Sequence, residues 1–141
     1  MKRMFLLCML LGAAFSAPHT QADFEAGMKA AEEGALADAF EEWMVDAQQR
    51  GDPRSQFQLG LVFDRGLIGL QDDHEAAKWY RLAADQGHAE AQYRLGLLYY
   101  FGQGVEQNHE QALRWFQKAS EQGNENAGVF LRTMGSKCDF P

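Results

Sequence analysis

Several side chains of the sequence are of types that do chemistry, and their spacing decides whether they could do it here. Three histidines, His74, His88 and His109, lie in the body of the chain and His19 lies near its start. None belongs to an H-x-x-x-H or C-x-x-C pair, so no single helix face gathers the three or four ligands that a metal ion needs. The serines Ser55, Ser120 and Ser136 stand outside any G-x-S-x-G context, which leaves no nucleophile elbow. Paired carboxylates occur at Glu32 and Glu33, Glu41 and Glu42, and Asp72 and Asp73. Acid/base work needs two such groups in opposed environments that split their pKa values, and neighbours on a short amphipathic helix are more simply a solvated face or a cap. Gly102-Gln103-Gly104 resembles a phosphate loop only in its glycines, since it lacks the preceding strand and the Lys-Ser/Thr ending. We therefore expect no catalytic residues, no cofactor and no metal.

Charge narrows the partners in the same direction. The chain of 141 residues carries 13 basic and 20 acidic side chains, a formal net charge of −7, with no Lys/Arg-rich block. Such a surface has nothing to offer a phosphate backbone, so nucleic acid is not an expected partner. Apolar residues make up 46% of the chain and aromatics 12%. That is enough apolar surface to offset the entropy of ordering one short domain or array.

The first 22 residues read as a targeting segment: Lys2 and Arg3, an apolar run from Met4 to Phe15, and a polar stretch ending at Ala22. The run is shorter than the ~20 residues that span a bilayer. Cleavage is expected after Ala22, with Ser16 or Ala17 as alternatives, giving a periplasmic or secreted product with no membrane span. Cys8 lies inside the apolar run rather than just after it, so no lipid anchor is expected. Removal of residues 1–22 leaves 11 basic and 20 acidic side chains, a net charge of −9. Cys138 is then the one cysteine left, able to tie two copies into a homodimer, to act as a reactive thiol, or to stay unpaired without consequence.

The elements that would position any site follow from an internal period. Trp43, Trp79 and Trp115 are spaced 36 residues apart, as are Gly51, Gly87 and Gly123, and Ala47, Ala83 and Ala119. Three series in phase indicate a repeat array. Between the last two copies the match extends to Leu59 and Leu95, Gly60 and Gly96, and Ala76 and Ala112, with Tyr80 opposite Phe116. The spacing Ala91, Leu95, Leu98, Tyr99 places one apolar face on a first helix, A, and Ala112, Trp115, Phe116, Ala119 does so on a second, B. Asp72 and Asn108 are expected to cap helix B, with Glu75 and Gln111 returning the bond as in a capping box. Asp52 with Pro53 starts helix A, and Gly87 and Gly123 end helix B in the left-handed conformation. Gly60 and Gly96, inside helix A, point to a close crossing that a Cβ would obstruct.

The organisation read from this is a targeting segment over 1–22, a degenerate helix pair over 23–51, repeats over 52–87 and 88–123, a C-terminal capping helix over 124–134 and a tail over 135–141. No unit of this kind buries its own tryptophan, and stacking on neighbours supplies the missing wall.

The series Ala89-x-Ala91-x-x-x-Leu95-Gly96-x-x-Tyr99-x-x-Gly102-x-Gly104-Val105, followed by Ala112-x-x-Trp115-Phe116-x-x-Ala119-x-x-x-Gly123, resembles the Sel-1-like repeat, a relative of the tetratricopeptide repeat with a longer inter-helix loop. The resemblance is strong over 52–134 and weak over 23–51. It implies an all-α fold, a short α/α solenoid with a tetratricopeptide-like superhelix. In the second unit Ile68 stands where the third has Gly104, so its loop is expected to take another conformation. Cysteine-rich secreted members of the family are linked to β-lactam binding, but the paired cysteines of those members are missing here. An envelope hydrolase or β-lactam-binding protein stays as the alternative by analogy.

By the same resemblance helix A lines a concave groove. Its lining would be Arg54, Phe57, Leu61 and Asp64 in the second unit, Glu90, Tyr93, Leu97 and Tyr100 in the third, and Asn126 and Val129 in the cap. Phe57 and Tyr93 would then repeat an aromatic face for a protein or peptide partner. Periodicity leaves open whether these two are groove or core. The function expected is a scaffolding or protein-binding module in the cell envelope, with no enzyme activity.

Overall fold

A computed structural model describes residues 22–135; the targeting segment up to residue 21, Cys8 and the tail with Cys138 lie outside the described residues. Within them the chain forms helices α1 (Ala22–Glu32), α2 (Leu36–Gln49), α3 (Pro53–Arg65), α4 (Asp73–Asp85), α5 (Ala89–Phe101), α6 (His109–Glu121) and α7 (Glu125–Gly135), with no strand. Each helix packs mainly on the one before and the one after it, which is the connectivity of an α/α solenoid.

Local chemistry places the helix ends. The Asp52 carboxylate accepts from the N–H of Arg54 with Pro53 in the first turn, and Asp72 accepts from the N–H groups of His74 and Glu75. Asn108 and His88 cap α6 and α5, the latter through an imidazole nitrogen. Gly87 and Gly123 have φ of 91° and 87°, the left-handed residues that stop α4 and α6. The reciprocal half of the capping box does not form. The Asp72 N–H donates to the Phe63 carbonyl at 3.0 Å and that of Asn108 to Tyr99 at 2.9 Å, bonds that close the inter-helix loops, while Glu75 pairs with Lys78. The backbone donor was already engaged by loop closure, so the side chain had nothing to return to.

The crossing glycines act as their phase predicts. A Cβ on Gly60 would overlap the Tyr80 ring, one on Gly96 would stand 2.6 Å from the Phe116 ring, and one on Gly27 would overlap Trp43. Gly27 therefore does in α1 what Gly60 and Gly96 do in α3 and α5, although the α1–α2 connection is much shorter. Three clusters fill the interior: Trp43 with Leu59 and Val62, Tyr80 with Leu95 and Leu98, and Phe116 with Ala112 and Ala127. Each draws on more than one repeat, so no unit closes its core alone. The two long loops differ as expected: Gly104 has φ 65° and lies against the backbone of Asp73, whereas Ile68 has a negative φ and is exposed.

Candidate interaction surface

Helices α3, α5 and α7 carry the same register on one strip, because Phe57, Tyr93 and Val129 are spaced by one repeat each. All eight residues expected on α3 and α5 are half-buried, and Asn126 and Val129 on α7 are exposed. The aromatic pair is thus neither free groove nor core. The Phe57 ring lies 5.8 Å from Tyr80 and stacks on His88 at 4.7 Å, and Tyr93 lies 5.9 Å from Phe116. One face of each ring is packed inward and the remainder stays accessible. Leu61 borders the Tyr80 cluster, and Leu97 and Tyr100 border that of Phe116.

The polar members are joined through Arg94, a residue the sequence reading did not single out. Its guanidinium lies 3.9 Å from Asp64 on α3 and 3.4 Å from Glu90 on α5, and Glu90 accepts a 2.8 Å bond from Asn124 before α7. The chain of contacts crosses three successive helix-A positions and leaves one negative charge, two carboxylates facing one guanidinium. Asp64 also accepts from the Tyr80 hydroxyl at 2.9 Å. Burial, and then the Asp64 carboxylate, push that phenol far above the usual tyrosine range. One repeat later the pair is replaced as a unit: Phe116 has no hydroxyl, and Tyr100 stands where the acceptor would be. Arg54 lies apart from this network. It bonds Asp52, sits 4.4 Å over the Phe24 ring and faces Glu25, and its hydrogen bond holds the Asp52 carboxyl below the usual range.

A second periodic feature also escaped the sequence reading. Gln86 Nε2 donates to Gln56 Oε1 at 2.8 Å and Gln122 Nε2 to Gln92 Oε1 at 2.6 Å, with Gln56 and Gln92 buried. The signal was available, since Gln56 and Gln92 are 36 residues apart, as are Gln86 and Gln122. Burial makes the ladder worth its desolvation only because both amides find partners.

Among the described residues no group of three His, Cys, Asp or Glu side chains could hold a metal ion, and no helix is long and apolar enough to cross a membrane. Asp64 and Glu90 are drawn to the same guanidinium. That arrangement is an ion-pair network that links α3 to α5.

The description Sel1 repeat matches the chain twice, over residues 53–88 and 89–124. Among solved structures, a Sel1 repeat protein from Oxalobacter formigenes is 33% identical with a TM-score of 0.71, covering 77% of this chain and 44% of its own. A protective antigen of uropathogenic Escherichia coli with an SLR fold is 35% identical with a TM-score of 0.68, covering 72% of this chain and 22% of its own. Cysteine rich protein B of Helicobacter pylori is 26% identical with a TM-score of 0.60, covering 70% of this chain and 71% of its own. The chain thus spans less than half the length of the first two. No curated protein matches it. Neither the fold nor these likenesses supports the hydrolase or β-lactam alternative.

Proposed function

Because the chain belongs to the Sel1 repeat family, whose repeats generally serve as protein-interaction modules, we propose that it is a non-enzymatic binding module in the bacterial cell envelope. It takes an extended or helical segment of a partner protein along the strip of α3, α5 and α7. The observation that carries the reading is the register Phe57, Tyr93, Val129, flanked by the linked contacts of Asp64, Arg94, Glu90 and Asn124. A strip whose charged side chains already hold one another, with one negative charge in excess, selects mainly by shape and apolar contact, and aromatic anchors in shallow recesses dominate such interfaces. The layout of residues 1–22 supports the envelope location.

A charge at Tyr93 tests the fold as well as the groove, since that ring packs on Phe116. The cleaner probe is a photo-cross-linking residue at Val129, compared with one at Arg114, which is exposed on α6. A discrete protein trapped in the envelope fraction at position 129 and absent at position 114 is the expected result. Equal labelling at both positions, or recovery of the protein outside the envelope, counts against the reading.

A further inference from the structure

The two long inter-helix loops have equal length but opposite fates. Loop 102–108 folds back over α4: Gly104 lies against Asp73, its carbonyl accepts from His74 Nδ1 at 3.1 Å, and Val105 is half-buried against the core. In loop 66–72 the equivalent positions are Ile68 and Gly69, and neither contact forms. The loop is pinned at its base by bonds from Leu67 N–H to Val62 and from Asp72 N–H to Phe63. Its tip holds Leu67, Ile68 and Leu70 at 46%, 43% and 94% exposure. Three large apolar side chains in four exposed residues mark a contact surface, Leu70 almost wholly in solvent and Leu67 and Ile68 about half so.

What covers the tip is indicated by two features beside it. Phe63, at the loop base, packs on Phe40 with centroids 5.9 Å apart, and around Phe40 on α2 the exposed charged residues are Asp38, Glu41 and Glu42. The α2 side of the loop is therefore acidic, while Arg65 at the end of α3 is the exposed cation at its start. Immediately after it, α4 opens a recess of about 470 Å³ whose apolar lining includes Ala77, Val105 and Leu82, with Lys78 and Arg81 among its walls. Leu82 is 47% exposed. An apolar loop beside acid thus adjoins an apolar recess beside base. Adjacent and mutually complementary patches are what a two-fold axis brings together.

We propose that two copies of this chain associate across such an axis, each placing Leu67, Ile68 and Leu70 in the α4 recess of the other. The acidic start of one α2 then meets Lys78 and Arg81 of the second copy. Within one chain Lys78 bonds Glu75 and Arg81 bonds the Tyr99 hydroxyl, so the ionic part adds rate and orientation and the loop supplies the burial. This contact is independent of the α3, α5 and α7 strip and of Cys138.

Sedimentation velocity of the protein produced from the full chain, with a thiol reductant present, tests the proposal over roughly a hundredfold range of concentration. The mass is expected to move from one chain to two as concentration rises. Leu70→Asp and Leu82→Asp should each weaken dimerisation by at least about tenfold. Both sites are exposed, and far-UV circular dichroism should not change. Val129→Asp, an exposed apolar site on α7, should leave dimerisation as it is. A single-chain mass throughout, growth beyond two chains, or dimerisation indifferent to either leucine substitution would overturn the proposal. Loss of the dimer in Val129→Asp would overturn it too, and would assign the contact to the strip.

Discussion

His88 shows how much one side chain of the array has to do. Its Nδ1 accepts the Ala91 N–H at 3.2 Å and caps α5, while its ring stacks on Phe57 at an interplanar angle of 23°. Burial lowers its pKa, and the carboxylates of Glu90 and Asp52 only partly oppose that shift. A histidine whose folded pKa lies below its unfolded value of 6.5 takes up a proton more readily in the unfolded chain. Its contribution is complete above pH 6.5 and is lost as pH falls through the folded pKa. Protonation also removes the acceptor that the cap needs. We expect the thermal midpoint to fall from pH 7 to pH 5, and His88→Asn, which keeps an acceptor as Asn108 does, to flatten that fall. His88→Ala should cost about 1 kcal/mol at pH 8 through the lost cap. Melting curves across pH for the three proteins check both statements; an unchanged slope in His88→Asn would assign the pH dependence to other groups.

At the scale of elements, the crossing of α5 and α6 is the most demanding contact. Phe116 is fully buried against Gly96, and a Cβ there would stand 2.6 Å from the ring. Alanine is the better helix former by about 1 kcal/mol, yet overpacking costs about 1–3 kcal/mol, so Gly96→Ala should destabilise. Gly128→Ala in α7 meets the Ser120 hydroxyl at 3.3 Å and the end of the Arg132 side chain at 3.6 Å, and should be near neutral or mildly stabilising. Urea denaturation of the two variants separates steric conflict from propensity. The crossing was legible in the sequence because a glycine that costs helix stability recurred at one phase. The exchange of Tyr80 and Asp64 for Phe116 and Tyr100 was not legible, because residues 16 apart in an array show no partnership until two helices are laid side by side. The same reason hid the contact of Arg94 with Asp64, which joins α5 to α3 across 30 residues of sequence.

For the molecule as a whole, nearest-neighbour packing means that damage should stay local. Asp46 is a test of this: it is buried at the junction of the first pair and the second, accepts from Ser55 Oγ at 2.5 Å and faces Arg50 at 3.3 Å. Asp46→Ala strips the buried Ser55 hydroxyl of its acceptor, at about 1–3 kcal/mol. Hydrogen exchange should show α1 and α2 losing protection while α6 and α7 keep theirs; a uniform loss would mean that the array unfolds as one unit. The all-α class, the repeat, the side-chain half of the helix caps and the crossing glycines Gly60 and Gly96 were readable along the chain, because each depends on residues within a turn or on a period that one chain displays. Tertiary structure alone decided that Phe57 and Tyr93 are half-packed, that Asp64 and Glu90 share one guanidinium, and that loop 66–72 stands free while its counterpart docks. Those outcomes depend on which surfaces meet across repeats, and no spacing along the chain encodes the distance between them.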